Sequence, residues 1–192
     1  RNFKDESGRL RSVLRNTQFY FREAISWNDT TATGKIAFRY QPEGYISNAS
    51  GPCVFADRNL TYLFGLLNSI VSQKLLEILA PNMKFEVGQM ALVPVIMEST
   101  DNIDNLVKDT VSIAKSDWDA FETSWDFQQH PLVRLKDNMR FTVTDGDCKS
   151  KSYFLQGAYR AWENECENRF DQLKANEEDL NRIFIDIYGL QD

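Results

Sequence analysis

The 192-residue sequence is poor in the residues that most enzyme active sites and metal centres are built from. It has one histidine, three cysteines, five prolines and nine glycines. A single His130 leaves no second imidazole to share a zinc ion or to divide acid and base roles. It sits before Pro131, where it reads as a loop residue or a helix-terminal cation. Cys53, Cys148 and Cys166 are widely spaced and form no C-x-x-C. They read as free thiols of a reducing cytosol. No apolar run approaches the ~18 residues that cross a bilayer, and no signal-like stretch lies near Arg1, so a cytoplasmic protein with no membrane association is expected. G-x-G-x-x-G, G-x-x-x-x-G-K-[ST] and G-x-S-x-G are all missing, which removes the dinucleotide fingerprint, the P-loop and the nucleophile elbow. Carboxylates are plentiful, but none follow calcium-loop spacing, and Glu163, Glu165 and Glu167 spread around their helix rather than converge. No metal site is expected.

What is present is a core-forming composition, 42% hydrophobic and 12% aromatic, which argues against disorder. The net charge of −6 is unevenly placed. Residues 1–96 carry 11 Lys+Arg and 8 Asp+Glu, whereas residues 97–192 carry 11 and 20. The basic half suits a face that meets an anion; the acidic half suits solvated helix faces or a protein neighbour.

The hydrophobic pattern predicts an α+β chain: a small mixed β-sheet module with a buried helix, then two long amphipathic helices and a short C-terminal one. Residues 1–16 read as a linker or short helix, 17–97 as the α/β module, and 98–192 as a helical spacer or brace. Strands are expected at Thr17–Trp27, Lys35–Tyr40, Tyr45–Ser47, Cys53–Ala56, Lys84–Val87 and, interrupted by Pro94, Leu92–Ile96. Residues 59–79 are apolar on most faces and predict one buried helix, capped by Asp57 or Asn59 and stopped by Pro81. Val107, Val111, Ala114, Trp118, Phe121 and Trp125 step by four and three, a heptad stripe on one long helix. Asp101 and Asp104 suit its first turn. Residues 134–151 read as loop, with a short strand at Met139–Thr144 and a turn at Asp145–Gly146. A second long helix carries Phe154, Ala158, Trp162, Cys166, Phe170 and Leu173 on one face. A third runs over Glu177–Tyr188, with Gly189 as its C-cap.

The segment Ala24–Tyr40 (AISWNDTTATGKIAFRY) holds the chemistry suited to binding. Arginine pairs bidentately with guanine and asparagine with adenine, while lysine and threonine are common phosphate contacts. A loop on a rigid sheet is where such readout is usually carried. The candidate DNA-contacting residues are therefore Trp27, Asn28, Thr30, Thr31, Lys35, Arg39 and Tyr40, with Lys84 on a neighbouring strand. The plainer reading of Trp27, Phe38 and Tyr40 is core or half-buried strand, and of Lys35 and Arg39 solvated charge.

The runs FYFREAISWND (Phe19–Asp29), GKIAFRYQPEGYISNASGPCVF (Gly34–Phe55), YLFGLLNSIVSQKLLEILAPNMKFEVGQMALVPVI (Tyr62–Ile96), SDWDAFETSWDFQQHPL (Ser116–Leu132) and LKANEEDLNRIFIDIYGLQD (Leu173–Asp192) resemble one family. They are similar to the C-terminal part of bacterial adenine-specific DNA methyltransferases, closest to the phage-exclusion (BREX) type, with type IIG restriction–modification enzymes as relatives. The resemblance covers nearly the whole chain. It implies a target-recognition region with helical spacers, lying after a catalytic domain. It also implies what is missing: the NPPY-type motif for the flipped adenine and the glycine-containing loop for S-adenosylmethionine do not occur in residues 1–192. The expected reading is a non-catalytic piece of a longer methyltransferase, with no cofactor of its own. S-Adenosylmethionine is expected in the missing domain. The expected partners are double-stranded DNA, that catalytic domain, and other subunits of a defence system. The competing reading is a helical protein-interaction scaffold whose stripes assemble a multi-subunit complex. A carboxylate-based hydrolase is a third, with nothing positive in its favour.

Overall fold

A computed structural model describes residues 4, 6–9, 15–48, 50–82, 84–98, 101–138 and 150–191, with side chains undescribed over 136–138 and 150–154. The chain divides into two compact units, one formed by residues 1–68 and 72–94, the other by 69–71 and 95–192. Both helices and a small sheet are present, an α+β chain.

The first unit is built on three short strands, β1 (Ala24–Trp27), β2 (Phe38–Gln41) and β3 (Cys53–Val54), in the order β2-β1-β3. Both pairings are antiparallel, so the sheet is not mixed as expected. Residues at alternate positions face opposite sides. Ile25, Trp27 and Phe38 face the core, where they meet Leu60, Leu67, Leu76, Phe85 and Val93. Ser26, Arg39 and Cys53 are register partners on the other side. The expected strands were too long. Thr17–Phe19 is a 3-10 turn, Tyr45–Ser47 is not in a strand, and Lys84 makes only an isolated bridge to Thr30.

The apolar stretch 59–79 forms two helices, α1 (Leu60–Asn68) and α2 (Ile70–Leu79), broken at Ser69. Tyr62 and Leu66 are fully enclosed, as an all-round apolar helix requires. Asn59 has a left-handed backbone (φ 61°) at the helix entrance, while the Asp57 carboxylate is taken by Arg22 at 2.7 Å. Val87–Met90, expected to leave a strand through a turn at Gly88, is instead the short helix α3. Glu86 and Gln89 close it with a reciprocal capping box. Leu92–Ile96 is not a strand.

The second unit packs α4 (Asp101–Trp118) and α5 (Pro131–Asn138) on α6 (Ser150–Ile187). Ile103, Val107, Ala158, Leu180 and Phe184 are among its buried side chains. The two expected C-terminal helices are one continuous helix of 38 residues. Nothing in Lys174–Glu177 removes an N–H or adds a glycine, so the helix has no reason to stop there. Its end matches the expectation: Gly189 is left-handed (φ 63°), with Gly189 N–H on Asp186 and Leu190 N–H on Ile185.

The heptad helix ends early. α4 stops at Trp118, and the positions that turn inward beyond it are Ala120 and Ser124, not Phe121 and Trp125. On α6, Phe170 is exposed although it was placed on the packed face. Three successive steps of four residues, from Ala158 through Trp162 and Cys166, rotate a position by about 120° around a helix of 3.6 residues per turn. Arg169, one residue earlier, takes the half-buried place. The strand expected at Met139–Thr144, the turn at Asp145–Gly146 and Cys148 lie outside the described residues, as does most of the expected linker 1–16.

Candidate nucleic-acid interface

The loop between β1 and β2, residues 28–37, is tied down at both ends by bonds to its own backbone. On entry, Asp29 donates its N–H to Ser50 (3.3 Å) and accepts the N–H of Phe85 on its carbonyl (2.6 Å), and Thr30 bridges Lys84. On exit, Gln73 of α2 donates to the Ile36 carbonyl at 2.9 Å, and the Phe38 N–H donates to Asn68 Oδ1 at 3.2 Å. Ile36 is buried between these anchors. Ala32–Lys35 form the exposed tip, where Gly34 supplies the left-handed turn (φ 70°) and Lys35 N–H reaches Thr33 Oγ1 at 3.4 Å.

The solvent side of the sheet is polar. Arg39 is exposed on edge strand β2, opposite Ser26, which hydrogen-bonds the Arg39 carbonyl (3.4 Å). Its Nη1 donates to Asn28 Oδ1 at 3.4 Å. Two residues on, Gln41 donates to Ser47 at 3.4 Å, and Ser47 Oγ lies 2.7 Å from Cys53 Sγ. This face therefore holds one guanidinium and a set of amide and hydroxyl groups. Their hydrogen bonds are mostly long and exchangeable.

The expected contact residues separate into groups. Arg39 and Asn28 come together on the polar face, and Lys35 stands exposed at the loop tip. Neither Arg39 nor Lys35 has a carboxylate partner among the ion pairs of the described residues. Lys84 is already paired, its Nζ 2.6 Å from Glu86 Oε1, and that bond raises the lysine pKa and lowers that of Glu86. Thr30 is exposed beside Lys84, while the Thr31 hydroxyl is buried without a hydrogen-bond partner among the described residues.

Trp27 and Tyr40 stand apart from that polar face. Trp27 is 1% exposed, with its indole N–H on the Phe85 carbonyl, so it offers no surface to a ligand. Its role is to fix the strand that carries the site. Tyr40 alternates with Arg39 and lies on the opposite side of the sheet, its ring edge toward Phe64 and its hydroxyl donating to Glu23 at 2.8 Å. Partial burial, reinforced by Glu23, raises its pKa above the ordinary 10.0. Gln41, Ser47 and Cys53 were missed. The alternation Arg39–x–Gln41 could have placed Gln41 with the arginine; Ser47 and Cys53 arrive only through pairing and a turn. Among the described residues no cluster of His, Cys, Asp and Glu gathers to hold a metal ion, and no helix is long and apolar enough to cross a membrane.

No protein-family model matches the chain. It is, however, 38% identical over its whole length to the adenine-specific methyltransferase PglX of Lacticaseibacillus casei (strain Zhang). The chain is thus similar to a part of an adenine-specific methyltransferase. A second such methyltransferase, BrxX of Escherichia coli O9:H4 (strain HS), is 26% identical over 99% of the chain. The chain spans 15% of the length of each of these methyltransferases. The resemblance seen in the sequence runs is thus upheld for both units, including the helical one.

Proposed function

We propose that this chain is a DNA target-recognition element of an adenine-specific DNA methyltransferase and does not itself transfer the methyl group. The observation that carries the reading is Arg39: an exposed guanidinium with no carboxylate partner among the described residues, on the polar side of a sheet and steadied by Asn28. A guanidinium in that state is available for a guanine edge or a phosphate, and Lys35 adds a second free cation on the adjoining loop. The two methyltransferase relatives support DNA as the ligand.

Methyl transfer and S-adenosylmethionine are assigned to the rest of such an enzyme, since residues 1–192 contain neither an NPPY-type motif nor a glycine loop for that cofactor. This division of labour suits an enzyme that must extract a base: one part holds the duplex in register while another takes the flipped adenine. The second unit is proposed as the brace, since its acidic balance disfavours contact with phosphates. The setting is proposed to be the cytoplasm, where the host duplex lies.

The test is binding of a randomised duplex pool by the chain, followed by sequencing of the retained DNA. Micromolar binding that weakens with salt, together with an enriched short sequence, is the expected result. Binding without enrichment would leave phosphate contact alone, and no binding at low salt would remove the reading.

A further inference from the structure

The end of α4 and the segment that follows it before α5 carry three exposed aromatics. Trp125 is 94% exposed, Trp118 59% and Phe121 45%. All three were expected on a packed heptad stripe, so their exposure requires a cause.

The turn is stiffened by its polar side chains. Lys115 pairs with Asp119 at 2.6 Å and also with Asp126. Asp119 accepts the Ser124 hydroxyl at 2.6 Å, and Ser124 Oγ in turn accepts the Asp126 N–H at 3.1 Å. Ala120 and Ser124 are the buried positions of the segment, which leaves the tryptophan pointing out. A turn bound in this way does not fold its indole inward. It presents a large apolar group already ordered for contact, the usual make-up of an interface anchor.

The rim of this patch specifies the kind of partner. Residues 116–127 contain Asp117, Asp119, Glu122 and Asp126 and no lysine or arginine. Lys115 is spent inside the turn on Asp119 and Asp126, and Arg169 lies 3.8 Å from Asp117, so Glu122 is the acid of the four with no ion pair among the described residues, and four carboxylates against these two cations leave the rim negative. Such a rim repels phosphodiesters and attracts cations. Arginine fits both parts, since its guanidinium stacks on an indole face and pairs with carboxylates. An open cleft of about 660 Å³ lies alongside, lined by Asp119, Asp126, Gln128 and Asn168 and by Glu165 and Arg134, which pair with each other, among others.

We infer that Trp118, Phe121 and Trp125 form a docking knob for an arginine-bearing protein segment. The inference is independent of the DNA reading, which rests on the other unit. The test is quenching of tryptophan fluorescence in the 192-residue chain by three probes: a short peptide alternating Arg and Leu, the same peptide with Glu for Arg, and single-stranded oligothymidine. The arginine peptide is expected to bind at least about tenfold more tightly than the glutamate peptide. Trp125→Ala is expected to lose about tenfold of that affinity, and Asp117→Asn/Glu122→Gln severalfold. Trp125→Gln and circular dichroism separate lost binding from lost fold. Equal binding of the two peptides, or arginine-peptide binding untouched by both Trp125 variants, overturns the inference. Trp125-dependent binding of oligothymidine in preference to the arginine peptide overturns it too, and makes the aromatics a base-stacking platform.

Discussion

The indole N–H of Trp27 donates to the carbonyl of Phe85 at 2.9 Å, joining two core residues 58 positions apart in the sequence. The same segment returns the favour through the backbone, since Phe85 N–H binds the Asp29 carbonyl at 2.6 Å. The strand that leads into the candidate loop is thereby fixed from both sides.

Trp27→Phe keeps most of the packing but leaves a buried carbonyl without its donor. It is expected to destabilise the first unit by about 1–3 kcal/mol. Trp27→Ala adds a cavity and is expected to cost about 3–5 kcal/mol. Urea unfolding of both variants measures the two effects. Wild-type stability of Trp27→Phe would show that the bond is not contributing.

Arg39→Ala and Lys35→Ala are expected to fail differently on DNA. Loss of a base-reading guanidinium costs about 1–3 kcal/mol of discrimination and relaxes the enriched sequence at one position. Loss of a phosphate-contacting lysine weakens all duplexes alike and lowers the salt slope by about 1. Titrations of the enriched and a scrambled duplex at several salt concentrations tell them apart. Identical discrimination by the Arg39→Ala chain would exclude base reading by that residue.

The turn before α5 is expected to loosen in acid. The bond from Lys115, then that from Ser124, holds the Asp119 carboxyl below its ordinary value of 3.8. Its contribution to folding is therefore complete above that value and is lost as pH falls through the lower folded-state value. Lys115 is shifted the other way, upward, by the same contact and by Asp126. Tryptophan fluorescence followed downward from pH 6 reads the change. In Lys115→Met the Asp119 carboxyl should titrate closer to its ordinary value, seen by carboxyl NMR.

Phe184→Ala and Phe170→Ala form a matched pair on α6. Phe184 is fully buried, and its truncation is expected to destabilise the second unit by about 3–5 kcal/mol. Phe170 is exposed, and its truncation should stay within about 0.5 kcal/mol of wild type. Equal losses would mean that the inward face of α6 is drawn wrongly.

The parts of the fold legible in the sequence were those set by local chemistry. The apolar run over Leu60–Leu79, the acidic start of α4 at Asp101 and Asp104, and the Gly189 terminus follow from periodicity, helix dipole and backbone freedom. The errors arose where a distant or side-chain bond competed with the pattern. The heptad reading carried α4 through Trp125 because spacing alone does not register the Lys115–Asp119–Ser124–Asp126 bonds that turn the chain. Trp27 stood among the candidate contacts beside its plainer reading as core, because the hydrogen-bond partner that decides between the two lies in a different part of the sequence. Of the candidate interface, Arg39 and Asn28 were readable as chemistry, but their convergence depends on the β1–β2 register.

The loop over residues 28–37 is suspended from its own main-chain atoms: Asp29 at one end, Ile36 and Phe38 at the other. None of those attachments involves the side chains of Ala32–Lys35. Evolution is thus left with a span it can rewrite, residue by residue or in length, while the framework carrying it stays unaltered. For an element proposed to discriminate among duplexes, that separates the freedom to acquire a new preference from the risk of unfolding.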